Sequence, residues 1–158
     1  MSAPMPWMPL QLTCSWPLAE VAQRFDLGFL HDEAGAAGSF VARHAAALRA
    51  EGSGLWECDL ATEALTWTPA VYDLFGLPRD ARLMRAETLR LYAEPSRVAM
   101  ERLRAHAIRH RRGFTLDAEL RPVTGGTRWM RLTAAPVCRN GRAVRLRGLK
   151  RDVSSLYR

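Results

Sequence analysis

Asn140-Gly141 separates two long strand-like stretches, Thr127 to Arg139 and Arg142 to about Val153. Both turn residues tolerate positive φ, so the pair specifies a tight antiparallel hairpin. A third strand precedes it. Phe114, Leu116, Ala118 and Leu120 alternate with polar residues and share one face. Thr124-Gly125-Gly126 reads as the turn that follows. Two more strands lie earlier in the chain. Trp56, Cys58 and Leu60 alternate with Glu57 and Asp59, and Leu65 and Trp67 share a face after a short turn.

The residues between these two groups change to a helical period. Thr68 and Pro69 open a short helix that buries Val71, Tyr72, Leu74 and Phe75 and stops at Gly76. Glu87 to Tyr92 forms a second brief helix. A longer one runs from about Glu94 to Arg112, with Val98, Leu103 and Ile108 as its buried stripe, Met100 near the edge and Gly113 closing it. Two strands, a group of helices and then a three-strand meander predict an α+β domain with one antiparallel sheet.

The amino-terminal third is different. Residues 1–16 contain Pro4, Pro6 and Pro9 without a periodic face, and are expected to be extended or disordered. Residues 17–52 read as a helical extension. Leu18, Val21, Ala22, Phe25 and Phe29 recur at helical spacing, and a second helix from about Ser39 carries Phe40 on its apolar side. Gly52-Ser53-Gly54 ends it, so the main domain spans residues 53–158. Leu18, Val21, Phe25, Phe29 and Phe40 would either cover that domain or form a dimer or partner interface.

The 158 residues carry a formal charge of +7. Residues 1–54 hold three arginines against five carboxylates, so the positive excess belongs to the rest. Such a surface admits nucleic-acid binding, but no basic-aromatic motif or helix-turn-helix pattern supports that alternative. No run approaches the ~20 apolar residues of a membrane-spanning helix. Cys14, Cys58 and Cys138 give neither a disulfide framework nor zinc-ligand spacing. The start lacks the basic residues of a secretion signal, and a reducing cytoplasm is the expected location.

The run Gly54-Leu55-Trp56-Glu57-Cys58-Asp59-Leu60, followed by Leu65-Thr66-Trp67, resembles the opening of a PAS sensor domain. Tyr72-Asp73-Leu74-Phe75-Gly76-Leu77 matches the next family helix. Phe114 to Leu120, Gly125-Gly126 and Arg128-Trp129 match later strands. Gly148 and Asp152-Val153-Ser154 resemble the closing strand and the Asp-Ile-Thr signature that leads to an output domain. The resemblance spans residues 54–156. It implies a PAS-like five-stranded antiparallel sheet with helices on one face, and a sensory or signalling role exercised through a homodimer or a signalling partner. A small ligand would bind between helices and sheet. Tyr92-Ala93-Glu94-Pro95-Ser96-Arg97 replaces the His-Pro-Asp-Asp-Arg stretch of many relatives. The chain stops four residues after Ser154, as a piece of a larger kinase or cyclase would, or a protein acting in trans.

The resemblance implies pocket residues from four regions. Trp56, Cys58 and Trp67 come from the first strands, Tyr72 and Phe75 from the first helix, Met100 and Leu103 from the long helix, and Leu116 and Trp129 from the later strands. Asp152 and Ser154 correspond to the output hinge pair. Haem-binding relatives take an axial His near the start of the long helix, where this chain has Ala99 or Met100. His106 and His110 instead share an arginine-rich, solvated face. The Asn-Cys-Arg-Phe run of flavin photosensors is absent. No cofactor is required, no metal-ligand set is evident, and no catalytic arrangement stands out, so the expectation is a binding module and not an enzyme.

Overall fold

The computed structural model describes residues 12–25 and 53–157. The chain enters as strand β1 (Thr13–Pro17), a single 3-10 turn (Leu18–Glu20) and helix α1 (Val21–Phe25). Strands β2 (Ser53–Asp59) and β3 (Leu65–Trp67) follow. Helices α2 (Pro69–Phe75), α3 (Arg85–Leu89) and α4 (Glu94–His110) come next. Strands β4 (Arg112–Leu120), β5 (Arg128–Arg139) and β6 (Arg142–Asp152) then lead to a 3-10 turn (Ser154–Tyr157). All strand pairs are antiparallel, in the order β1-β4-β5-β6-β2-β3.

The expected five strands are present, and a sixth extends them. Residues 13–16, expected to be extended or disordered, form most of β1. Trp16 explains why this proline-flanked segment is held. It is buried and pairs in register with Gly113. A Cβ at position 113 would lie 2.2 Å from the Trp16 ring. Gly113 therefore makes room for an indole and does not close the long helix. The left-handed residue that ends α4 is Arg111, with φ 54°. The Trp16 indole N–H donates to Thr115 Oγ1 at 3.0 Å, which satisfies the polar atom of an otherwise apolar anchor.

Both faces of the sheet are covered. On one side the helices pack on Trp56, Phe114, Leu116, Leu132 and Leu146. On the other, Trp16, Val21, Leu55, Ala135 and Leu149 form a smaller cluster with Leu18 at its edge. Leu18 and Val21, the first two residues of the expected interface stripe, thus bury themselves on their own sheet. The side chain of Phe25, Phe29 and Phe40 lie outside the described residues. Arg147 is also buried, although the alternation with Arg145 and Arg151 predicts a wet face.

Local chemistry departs from expectation in three helices. Thr68 occupies the N-cap position of α2, but its Oγ1 accepts the Leu55 N–H at 3.0 Å, joining helix start to strand. Helix α3 begins and ends earlier than residues 87–92. The buried line of α4 runs through Ser96, Met100 and Ala107, with Val98 outside the core and Met100 at its centre.

The carboxy-terminal turn is fastened to the outer face. Tyr157 Oη donates to Asp117 Oδ2 at 2.6 Å, and Arg131 Nε donates to Asp117 Oδ1 at 2.8 Å. Burial, then the bond to Asp117, pushes the Tyr157 hydroxyl up to about 12. Tyr157→Phe is expected to lower stability by about 1–2 kcal/mol in urea unfolding, because a hydrogen bond to a charged, buried acceptor is lost while the ring remains. An unchanged midpoint would contradict the assigned bond.

Candidate functional site

A cavity of about 50 Å³ lies between the helices and the sheet. Strand register explains its position. Trp56, Gly148, Ala134 and Phe114 align in one row across β2, β6, β5 and β4. The two central residues have almost no side chain, while the outer two carry rings. The floor is therefore low in the middle and walled at both sides. Lys150, Leu132 and Leu146 complete the floor, and Leu65, Leu89 and Met100 bring apolar walls. Arg85, Thr88, Tyr92 and Arg104 bring polar atoms from the helices and the segments joining them.

Lys150 is the chain's only lysine, and it is 7% exposed. Its Nζ lies 5.1 Å from the Trp56 ring, 5.2 Å from that of Trp67 and 5.0 Å from that of Phe75. Trp67 and Phe75 stack at 4.9 Å. Three ring faces offer negative quadrupole to an ammonium, but they do not replace water. Burial pushes the amine down to about 7, the Cys58 thiol opposes that shift and the Arg85 guanidinium adds to it. The Trp56 and Trp67 indoles are each 6% exposed, and neither N–H has a hydrogen-bond partner among the described residues.

Neighbouring groups are fixed. Arg85 binds Glu101, with Glu63 at 4.0 Å. The Thr88 hydroxyl donates to the Arg85 carbonyl oxygen at 2.8 Å. Burial pushes the Cys58 thiol up, against the effect of the Arg104 guanidinium beside it. Burial also pushes the Tyr92 hydroxyl up.

Of the expected pocket residues, Trp56, Cys58, Trp67 and Met100 line the cavity. Phe75 stands behind it against Lys150. Tyr72 meets Trp67 edge-on, and Leu103 and Leu116 belong to the core around the cavity without lining it. Trp129 is elsewhere. It pairs in register with Glu119 on the opposite face and stacks on Tyr157 at 4.2 Å. Lys150 was missed, although strand parity carries the signal: if Arg147 and Arg151 share one face of β6, Lys150 shares the other with Leu146.

Asp152 and Ser154 form a local network. Asp152 Oδ1 accepts the Ser154 N–H at 2.8 Å, and Ser154 Oγ accepts the Trp129 N–H at 2.9 Å. The rings of His106 and His110 lie 4.5 Å apart on the exposed face of α4. Among the described residues no group of three or more His, Cys, Asp or Glu is placed to hold a metal ion, and no helix is long and apolar enough to cross a membrane.

A family model described as the PAS fold matches residues 42–150. Several solved structures share the fold. A sensory box histidine kinase/response regulator from Burkholderia thailandensis gives a TM-score of 0.62 at 18% identity, covering 72% of this chain and 86% of that one. The N-terminal domain of a diguanylate cyclase with PAS/PAC sensor from Marinobacter aquaeolei gives 0.62 at 16% identity, covering 67% and 99%. An RNA-binding light-oxygen-voltage receptor gives 0.60 at 16% identity, covering 67% of this chain and 30% of that one. A search of curated proteins found no match.

Proposed function

The chain belongs to the PAS family, and from that membership we propose that it is the sensory module of a signalling protein, acting by binding and without catalysing a reaction. A small molecule enters the cavity beneath α3 and α4, and its presence changes a contact with a partner protein or a second copy of the chain. One observation carries this reading. Three buried polar side chains, Trp56, Trp67 and Lys150, surround a hollow in an apolar interior, and both indole N–H groups there lack a partner among the described residues. An interior built for packing alone leaves such groups satisfied, whereas ligand sites combine apolar walls with a few convergent polar atoms.

The route outward follows the same strands. Strands β5 and β6 supply much of the cavity floor, and their ends hold Trp129, Asp152 and Ser154. A ligand that shifts β6 at Lys150 acts on the strand that ends two residues later at Asp152 and leads into the final turn. PAS domains of a histidine kinase and a diguanylate cyclase share this fold, and an output of comparable kind is part of the proposal.

Thermal-shift screening of small molecules, followed by hydrogen exchange, tests the reading. The expected result is a compound that raises Tm by several degrees and slows exchange at Trp129 and residues 154–157. A binder at 100 times its Kd stabilises by about 2.7 kcal/mol. If no compound stabilises the protein, or if binding leaves those amides unchanged, the reading fails.

A further inference from the structure

The hydrogen-bonding capacity of the cavity is almost entirely that of donors. An indole N–H and an ammonium donate and cannot accept. Both indoles and Lys150 are more than nine-tenths buried. The guanidinium groups of Arg85 and Arg104 also line the cavity and add positive charge. The possible acceptors are few. The Thr88 hydroxyl is directed to the Arg85 carbonyl oxygen, the Tyr92 hydroxyl on the wall both donates and accepts, the Cys58 sulfur accepts weakly, and Glu101 is engaged by Arg85. Glu63 lies 4.0 Å from Arg85 and is largely exposed. When Lys150 carries its proton, three cations thus stand against one close carboxylate. The complement of such a surface is a group that only accepts and carries negative charge.

Size and wall chemistry narrow the class. About 50 Å³ holds roughly three or four water-sized groups, which matches a short-chain acid and is far below a nucleotide. Leu65, Leu89 and Met100 suit a short apolar body. Two indole N–H groups without a partner among the described residues suit the two oxygens of one carboxylate.

We propose that the cavity binds a small monocarboxylate, with Lys150 and the indole N–H groups of Trp56 and Trp67 receiving its oxygens and the apolar walls holding its body. The proposal rests on the sensory reading above and names the ligand class of that same site. Charge-assisted hydrogen bonds are about twice as strong as neutral ones, so the carboxylate gains most at the donors that have no partner among the described residues.

Binding depends on pH through Lys150. The titratable and charged groups that line the cavity with it are Cys58 from β2, Arg85 from α3, Arg104 from α4 and Tyr92 between α3 and α4, with Glu101 and Glu63 against Arg85. Burial keeps the Cys58 thiol and the Tyr92 hydroxyl protonated at neutral pH, and both arginines keep their charge. Burial brings the Lys150 amine down to about 7, so it is the group that changes charge near neutrality. A carboxylate prefers the ammonium, and its affinity falls about tenfold for each pH unit above that point.

The test is a calorimetric and thermal-shift titration of the full chain with propionate and butyrate, against propionamide and butyramide, at matched sodium chloride. The expected result is saturable binding of the acids at pH 6.5, at least tenfold weaker at pH 8.5, with no comparable binding of the amides. Lys150→Met should fold and lose at least tenfold in affinity. Trp67→Phe, which keeps an aromatic side chain but removes the N–H, should lose several-fold. Equal binding of acids and amides, or full affinity in Lys150→Met, would overturn the carboxylate assignment while leaving a sensory cavity. Binding of neither, together with failure of the wider screen, would remove both.

Discussion

Gly148→Ala is expected to destabilise the domain by about 3 kcal/mol or more, or to prevent folding. Overpacking a core side chain costs roughly 1–3 kcal/mol when neighbours can rotate away. Here they cannot. A Cβ at position 148 would lie 1.8 Å from the Thr133 carbonyl oxygen, 2.8 Å from its carbonyl carbon and 3.1 Å from Ala134 Cα. All three are backbone atoms of β5, a central strand of the sheet. The added methyl must push β5 and β6 apart, and that hairpin carries the cavity floor and the strand ends beneath the final turn. Thermal unfolding followed by tryptophan fluorescence checks this. At this magnitude Tm falls by roughly 10 °C, and a Tm within 2 °C of the parent would contradict the packing described.

Lys150→Met is expected to raise stability at pH 6 and to have little effect at pH 10. Burial lowers the Lys150 amine from 10.5 to about 7, so the folded state disfavours the ammonium. Between about pH 7 and 10.5 the unfolded chain binds more protons at this residue, and stability therefore rises with pH across that window. Below about 7 the penalty is present in full. Its ceiling is about 5 kcal/mol, from 1.36 kcal/mol per pKa unit, and replacement by methionine keeps the length of the stem. Urea unfolding of parent and variant at several pH values isolates the residue, because other titrations cancel in the difference. A variant less stable than the parent at pH 6, or a difference constant with pH, would contradict the burial of this amine.

The two results separate what sequence pattern can reach from what it cannot. The sheet was legible because each strand pair is announced locally. Asn140 and Gly141 adopt φ 52° and 74° as their turn requires, and Phe114, Leu116, Ala118 and Leu120 are buried as the period selects, with Thr115 and Asp117 buried on the other face. Strand β1 was not legible. Its pairing depends on one indole lying over one glycine almost a hundred residues away, and neither residue carries a periodic signal. Gly113 was read as a helix stop because glycine usually ends helices, whereas its missing Cβ serves the Trp16 ring.

The same distinction applies to the candidate site. Alternation put Trp56 and Cys58 on one face of their strand and Trp67 on one face of the next, and the family resemblance made those residues pocket residues. The assignment of Trp129 failed because β5 reads with two candidate faces, and the phase is set by register with β4: Phe114 opposite Ala134 puts Trp129 opposite Glu119, away from the helices. Lys150 was hidden by its chemistry. A lysine between arginines reads as part of a solvated strand, yet the alternation that places Arg147 and Arg151 on one face requires Lys150 to point inward. Three aromatic rings surround its amine, and burial still disfavours the ammonium there.

A single lysine makes the central feature directly measurable. Protein grown with lysine labelled at Cε and Nζ gives one side-chain resonance, that of Lys150, and its chemical shift can be followed from pH 5 to 11. Burial in the aromatic cavity predicts a midpoint near 7, with a ring-shifted Cε signal. A midpoint near 10.5 with an unshifted signal would place the amine in water and contradict the cavity.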